Sequence, residues 1–159
     1  MWMRGGTSKG LYFLKNDIPT DIEKRRDFLL SVFGSPDTLQ INGVGGGNPL
    51  TSKVAIVSKS KKPNIDVDYL FLQVAVDKYV VSSRQNCGNI LAGIAPFALE
   101  RGLVKPEKTK TTIRIFMENS KQVAVSTVET PNRNLTYEGD TYIDGVTFPG
   151  APISLEFLN

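Results

Sequence analysis

The only cysteine of this 159-residue chain, Cys87, lies in the segment Asn86-Cys87-Gly88-Asn89, directly before an apolar stretch predicted to be a helix. A thiol at a helix N-terminus lies near unpaired backbone N–H groups and the positive end of the helix dipole, which favour the thiolate. The amides of Gly88 and Asn89 are also suited to holding a carboxylate. The segment therefore indicates either a reactive thiol beside an acid-binding site or a buried structural cysteine beside an N-cap asparagine.

A glycine-rich loop, Gly43-Val44-Gly45-Gly46-Gly47, leads through Ser52 into Lys53 at the start of a predicted strand. The lysine comes too late for a phosphate-binding loop, and the glycine spacing does not fit a dinucleotide-binding motif. The loop is predicted to be either a flexible turn or a nest of amides that binds an anion. From its position alone, the Lys53 ammonium is best explained as surface charge.

A second loop of glycines and hydroxyls, Arg4-Gly5-Gly6-Thr7-Ser8-Lys9-Gly10, precedes the apolar residues Leu11-Tyr12-Phe13. Its amides and hydroxyls are suited to donating hydrogen bonds to an acid substrate. The alternative is a plain β-turn without a functional role.

The composition excludes several classes of site and partner. The chain has no histidine, which excludes histidine-based catalytic triads and histidine metal ligands. One cysteine forms neither an internal disulfide nor a thiolate cluster, so no metal site is predicted. The net charge of +3 is spread along the chain, so no nucleic-acid partner is expected. Neither a membrane span nor a signal peptide is recognisable, and we expect a cytoplasmic protein.

The remaining patterns predict an α+β fold. Thr20-Asp21-Ile22-Glu23 reads as a capping box with Thr20 as the N-cap, and it begins a surface helix of about 13 residues with Ile22, Leu29, Val32 and Phe33 on one face. Gly34 ends this helix. Strands and hairpins are predicted from alternation and turn residues at 53–58, 67–81, 112–118 with 122–128, 141–143 with 146–148 around Asp144-Gly145, and 153–157.

Residues 90–99 differ from the rest because they are apolar on every side of a helix, which is typical of a helix buried in the middle of a fold. Pro96 is expected to bend this helix. The elements together predict a curved antiparallel sheet or barrel wrapped around one central helix.

The three loops and their flanking strands resemble the PrpF family. The matching stretches are MRGGTSKG at 3–10, GVGGGNPLTSKVAIVSKS at 43–60, DVDYLFLQV at 66–74, QNCGNILAG with PFALERGLV at 85–104, IRIFMENS at 113–120 and DGVTFPGAP at 144–152. They are distributed from residue 3 to residue 152, so the resemblance covers almost the whole chain.

The resemblance implies a diaminopimelate-epimerase-like fold of two similar domains with the active site between them. Residues 1–159 would be the first domain, with the second domain absent from this chain. The family's cysteine and lysine motifs fall on Cys87 and Lys53, which makes these two the expected catalytic residues. The loops around them supply the expected substrate-binding residues: Arg4, Gly6, Thr7, Ser8, Gly46, Gly47, Ser52, Asn86, Gly88 and Asn89.

The activity implied by the resemblance is a cofactor-independent isomerisation of a small unsaturated polycarboxylic acid. The 85–104 stretch and IRIFMEN are closer to the 4-oxalomesaconate tautomerase branch than to the branch of 2-methylaconitate cis–trans isomerases, which stays the alternative. An inactive half-length fragment or a non-catalytic acid-binding module is the other alternative. No cofactor is expected, and the expected partners are a polycarboxylate and either a second domain or a second copy of the chain.

Overall fold

The computed structural model describes residues 1–158. No helix among them is both long and apolar enough to cross a membrane. The helices are α1 (Ile22–Phe33), α2 (Gly88–Ala92) and α3 (Ile94–Glu100), and short 3-10 helices lie at Lys15–Asp17, Pro49–Thr51 and Pro131–Arg133. The strands are β1 (Trp2–Gly5), β2 (Ser8–Leu14), β3 (Lys53–Lys59), β4 (Val67–Val74), β5 (Val81–Ser82), β6 (Lys110–Met117), β7 (Gln122–Glu129) and β8 (Ile153–Leu158).

All eight strands form one sheet in the order β1-β2-β3-β4-β6-β7-β8, and β5 also pairs with β4. The pairs β2–β3 and β4–β6 are parallel, so the sheet is mixed and not purely antiparallel as predicted. Helix α2 contacts both β1 and β8, which lie at opposite ends of the strand order. The sheet therefore curves around α2 and α3, and the predicted α+β architecture of a curved sheet around a central helix is confirmed.

The inner face of the sheet packs on α2 and α3. Because the two helices are surrounded by strands, they bury apolar residues on all sides, as predicted. Their buried residues are Ile90, Leu91, Ile94, Ala95, Phe97 and Ala98, and the strands contribute Tyr12, Ala55, Val57, Val67, Tyr69, Phe71, Ile113, Ile115, Met117, Ala124 and Val128.

The central helix breaks at Gly93 and not at Pro96, where the bend was predicted. The Gly93 N–H donates to the carbonyl of Ile90, and a Cβ at Gly93 would collide with the hydroxyl of Tyr12. Pro96 is the third residue of α3, a position whose N–H has no partner within the helix, so its ring is accommodated. Close packing of Tyr12 against the backbone thus decides where the helix divides.

Helix α1 packs on the outer face of the sheet. Its buried residues Leu29, Leu30 and Phe33 contact strand residues of β3 and β4. The predicted apolar face was wrong at Ile22, which is 69% exposed. The N-cap is Asp21 and not Thr20, because the Asp21 carboxylate accepts from the Lys24 amide at 2.9 Å. Gly34 ends the helix as predicted, with a φ of 78°.

Two strand predictions also need correction. Strand β4 ends at Val74, and the chain turns through 75–80 and returns as β5, so 67–81 is a hairpin and not one strand. Asp144-Gly145 lies in a turn in which the Val146 amide donates to the Ile143 carbonyl. In the described part of the chain, no strand flanks that turn, and one bridge joins Thr141 to Gly150. The predictions of β3, the β6–β7 hairpin and β8 are confirmed.

Candidate active site

Strand pairing gathers three segments at one edge of the curved sheet. Lys53, the first residue of β3, pairs with Gly10 of β2 on one side and with Gln73 of β4 on the other. Because β2 and β3 are parallel, both begin near this edge, and β4 ends there because it is antiparallel to β3. Lys53 and Gln73 share the inner face with the buried residues Ala55 and Phe71, so their side chains project from the side that faces the central helices.

Helix α2 begins at the same edge. The side-chain oxygen of Asn89 accepts from the backbone amide of Thr7, in the turn between β1 and β2, at 3.2 Å. Cys87 is the N-cap residue of α2 and lies two positions before Asn89. The edge formed by the start of β2, the start of β3, the end of β4 and the N-terminus of α2 is called the rim below.

The Lys53 side chain is half-buried at the rim. Its Nζ donates to Oε1 of Gln73 at 3.1 Å and lies 5.3 Å from the centre of the Phe71 ring, within the range of a cation–π interaction. No carboxylate among residues 1–158 forms an ion pair with this ammonium. A positive charge without a counter-ion on the inner face is suited to attracting an anionic ligand.

The Cys87 thiol is half-buried and packs against the inner core. Its backbone is extended, with a φ of −138°, and its carbonyl accepts from the Leu91 amide at 3.0 Å. Burial raises the pKa of Tyr12 and of Tyr69 well above the ordinary range of tyrosine, and the nearby Cys87 contributes to both. The thiol therefore lies among phenols that keep their protons at neutral pH.

The two phenols differ in their hydrogen bonds. The Tyr12 hydroxyl donates to the Ile90 carbonyl at 2.8 Å. The Tyr69 hydroxyl is buried and has no partner among the described residues.

The residues on either side of Cys87 leave the start of α2 open. Asn86 and Gly88 are exposed, and a Cβ built on Gly88 contacts nothing within 4 Å. A small ligand can therefore approach the Gly88 backbone from the side of the rim. Asn89 is half-buried because its side chain is bonded to the β1–β2 turn.

The loop predicted at 4–10 is instead the end of β1, a tight turn at Gly6 and Thr7, and the start of β2. Gly6 has a φ of +52°, a conformation that glycine adopts without strain. Arg4 is exposed, and its guanidinium donates to the Gly6 carbonyl at 3.1 Å. Ser8 is 2% exposed, and its hydroxyl has no hydrogen-bond partner within residues 1–158. The residues next to the turn thus combine an exposed cation with a buried hydroxyl that has no hydrogen-bond partner among residues 1–158.

The glycine loop at 43–47 is anchored from inside the chain. Gln40 is 1% exposed, and its Oε1 accepts from the Gly47 amide and from the Ser52 hydroxyl, each at 2.9 Å. The amides of Gly43, Val44 and Gly45 donate to carbonyls of Gln40, Val32 and Phe33. Gly46 is exposed and packs on Thr51. Most amides that an anion-binding nest would use are therefore already engaged.

Sequence reasoning missed three residues that organise the rim. Gln40 anchors the glycine loop, Gln73 bonds to Lys53, and Asn119 joins three segments. The Asn119 carboxamide pairs with both the N–H and the C=O of Phe71, at 2.8 and 2.9 Å, and donates to the Ser83 carbonyl at 2.8 Å. The sequence signal was weak, because all three are amides next to turns, a common composition for loops.

A cavity of about 510 Å³ lies beside the rim, and neither Lys53 nor Cys87 lines it. It is lined by the Arg4–Gly6 turn, by Gly93 and Pro96, and by the segment between β7 and β8. The side chains of Lys53 and Cys87 instead lie at the rim. Within residues 1–158, no group of three or more His, Cys, Asp or Glu side chains is arranged to hold a metal ion.

Comparison with known proteins decides the family. The model of the family described as PrpF protein matches residues 1–159. The chain belongs to the PrpF family. This PrpF-family chain spans less than half, about 44%, of the length of two curated relatives that it matches.

Three curated relatives align with nearly the whole chain. The (4E)-oxalomesaconate Delta-isomerase of Novosphingobium sp. strain KA1 is 63% identical over 99% of the chain and 44% of its own length. The 4-oxalomesaconate tautomerase of Pseudomonas putida is 55% identical with the same two coverages. The 2-methyl-aconitate isomerase of Shewanella oneidensis is 42% identical over 99% of the chain and 42% of its own length.

A solved structure supports the fold. The crystal structure of methylitaconate-delta-isomerase superposes with a TM-score of 0.94 and 43% identity, covering 97% of this chain and 40% of that one. The PrpF-family chain therefore has the α+β, diaminopimelate-epimerase-like fold that the resemblance implied.

Proposed function

We propose that the protein containing this chain is a cofactor-independent isomerase that moves a proton and a double bond in a small unsaturated polycarboxylic acid. The reaction we favour is a keto–enol tautomerisation of the kind named for 4-oxalomesaconate. The observation that carries the proposal is that β3, which starts at Lys53, and α2, whose N-cap is Cys87, begin at the same rim, through the β2–β3–β4 pairing and the Asn89–Thr7 bond.

Lys53 and Cys87 are the proposed proton-transferring pair. One of them removes a proton from a carbon next to a carbonyl or carboxyl group, and the negative charge spreads through the conjugated acid. The other returns a proton to a different atom, so the double bond moves and no proton is gained or lost overall. Fixed donors stabilise the charge that develops between the two steps.

The substrate carboxylates are proposed to bind around this pair. Arg4 supplies an exposed cation, Ser8 supplies a hydroxyl without an internal partner, and Thr7 lies in the same turn. Asn86 and Gly88 offer side-chain and backbone donors at the start of α2, with Asn89 next to them in the chain. Gly46 enters the proposal as an exposed residue of the glycine loop. Gly47 and Ser52 enter the proposal as residues that fix the glycine loop, because their donors are engaged with Gln40.

The identities of the relatives support the choice of acid. Two relatives named for oxalomesaconate are 63% and 55% identical, whereas the 3-methylitaconate and 2-methyl-aconitate isomerases are 43% and 42% identical. Isomerisation of an aconitate-type acid is the second candidate, because those relatives share the same fold and align over nearly the whole chain.

The test is solvent deuterium incorporation, followed by NMR, in the full-length enzyme with a panel of unsaturated tricarboxylates and oxo-acids. Cys87→Ala and Lys53→Met should each reduce turnover by about 10²–10⁴-fold, the usual contribution of a proton carrier. Lys61→Met, which changes an exposed lysine outside the rim, is the matched control. Near-normal turnover of either rim variant rejects the assignment, and the acid that exchanges fastest identifies the substrate class.

We also propose that residues 1–159 are the first of two domains and that a second domain, or a second copy of the chain, completes the cleft. The coverage of 44% and the open space beside Gly88 support this arrangement. The isolated chain should bind a tricarboxylate weakly and exchange no deuterium into it. The full-length protein should bind the tricarboxylate and also catalyse the exchange. Full turnover by the isolated monomeric chain would contradict the two-domain proposal.

A further inference from the structure

Gln73 holds a fixed orientation at the end of β4. Its Nε2 donates to the carbonyls of Ser52 at 2.9 Å and Pro49 at 3.0 Å, with a longer contact to the carbonyl of Val74 at 3.3 Å. A flipped carboxamide would set its oxygen against these carbonyls, which are acceptors only. The side chain is therefore held with its nitrogen toward the backbone and its oxygen toward the inner face.

That oxygen faces Lys53. The distance from Gln73 Oε1 to Lys53 Nζ is 3.1 Å, and the centre of the Phe71 ring lies 5.3 Å from the same Nζ. A lysine side chain has four rotatable bonds and loses considerable rotamer freedom when it is held. The amide and the ring together therefore restrict an otherwise mobile amine to the rim.

The chemical nature of this partner matters as much as its position. A carboxylate at the same distance would neutralise the ammonium and compete with an anionic ligand for it. A neutral amide accepts one N–H and leaves both the positive charge and the remaining donors available. Residues 1–158 supply no carboxylate that replaces it in this role.

We propose that Gln73 is a positioning residue that aims the Lys53 amine at the rim while leaving its charge free for a carboxylate of the substrate. The inference rests on the proposed function, because it gives Lys53 a role in proton transfer. It adds a determinant of specificity, since a glutamine at this position favours anionic substrates and a glutamate would oppose them.

Two substitutions in the full-length enzyme separate orientation from charge. Gln73→Met removes the acceptor and should lower kcat by about 100-fold, the cost of misplacing a reacting group by roughly 1 Å, with a smaller change in KM. Gln73→Glu keeps an acceptor but adds a negative charge, so KM for the polycarboxylate should rise and the pH–rate profile should move to higher pH. Gln122→Glu, on the exposed side of β7, should change neither property.

A readout independent of activity is the NMR titration of lysine side chains labelled at Cε, with the Lys53 signal assigned from its loss in Lys53→Met. Gln73→Glu should move the Lys53 titration to higher pH, and Gln73→Met should remove the upfield displacement caused by the Phe71 ring. Thermal unfolding of each variant identifies any that is not folded, and the titration is read only on folded protein.

The inference is overturned if both Gln73 variants leave the Lys53 signal and its titration unchanged, or if folded Gln73→Met keeps kcat within twofold of the wild type. Failure of the proposed function has a different signature. Normal turnover of Lys53→Met rejects the role of the lysine in catalysis, and the NMR titration then decides alone whether Gln73 orients it.

Discussion

The side-chain oxygen of Asn89 lies 3.2 Å from the backbone amide of Thr7, although 82 positions separate the two residues in the sequence. This hydrogen bond joins the β1–β2 turn to the first turn of α2. A Cβ at Gly6 would collide with the same Asn89 oxygen, so the turn and the helix fit closely. The bond fixes the cation and hydroxyls of the turn relative to the Cys87 end of the helix.

Removal of this bond should impair function more than stability. Asn89→Ala is expected to lower the free energy of unfolding by about 0.5–1.5 kcal/mol, the usual net value of one hydrogen bond. It should lower kcat/KM by about tenfold or more, since the turn would no longer be held beside the thiol. Urea unfolding and steady-state kinetics measure the two effects. The control is Asn16→Ala, an exposed asparagine far from the rim, and equal kinetics in both variants would contradict the prediction.

Two glycines of the central helices should respond in opposite ways to alanine. In Gly88→Ala, the new Cβ would have no neighbouring atom within 4 Å. The substitution should raise the free energy of unfolding by up to about 1 kcal/mol, because alanine is the better helix former. Its methyl group would occupy the approach to the start of α2, so kcat/KM should fall. Gly93→Ala would collide with the Tyr12 hydroxyl and should cost about 1–3 kcal/mol through overpacking. Both effects are measured by denaturant unfolding, and undiminished kcat/KM in Gly88→Ala would argue against a ligand at that place.

Gln40 is expected to control the order of the glycine loop. Gln40→Leu removes the acceptor of the Gly47 amide and the Ser52 hydroxyl, and the free energy of unfolding should fall by about 1–3 kcal/mol because the Ser52 hydroxyl is buried. Hydrogen exchange at Gly47 should accelerate beyond the change expected from global stability alone. Gln122→Leu serves as the exposed comparison, and unchanged exchange at Gly47 would contradict the anchoring role.

The buried phenols predict a loss of stability in alkali. Burial, with a smaller contribution from Cys87, raises the pKa of Tyr12 above its ordinary value of 10.0, so the folded chain binds the phenol proton more tightly than the unfolded chain does. This contribution to stability is complete below about pH 10 and is lost as pH rises above it. Tyr12→Phe should cost about 0.5–1.5 kcal/mol at neutral pH, through loss of the bond to Ile90, and should show a shallower decline between pH 9 and 11. Urea unfolding across this range measures the slope, and Tyr142→Phe, at an exposed position, should keep the slope of the wild type.

Much of the architecture was recognisable from local pattern. Apolar residues on all sides of 90–99 predicted a central helix because only a helix surrounded by protein can bury such a surface. Strands β6 and β7 were predicted from the residues on either side of a turn, and their burial follows the two-residue period of a strand. Alternation also predicted β8, whereas β3 was predicted from its β-branched, apolar composition and has a run of four buried residues. The local predictions failed where packing between distant elements decides, as at Gly93, where the ring of Tyr12 lies against the backbone.

For the candidate site too, some residues were predictable from local sequence, and their contacts were known only from the structure. A lone thiol before a predicted helix made Cys87 one of two open interpretations, a reactive or a structural cysteine, from local features alone. Lys53 was expected to be catalytic only because of the resemblance to the PrpF family, since its position alone predicted surface charge. Only the tertiary structure decided that β3 and α2 begin at one rim and that the Lys53 ammonium bonds to Gln73 and lies near the Phe71 ring. It also decided that Gln40 engages the amides expected to bind an anion. The physical reason is that strand register and side-chain hydrogen bonds join residues far apart in the chain, and the composition of any one segment carries no information about its partner.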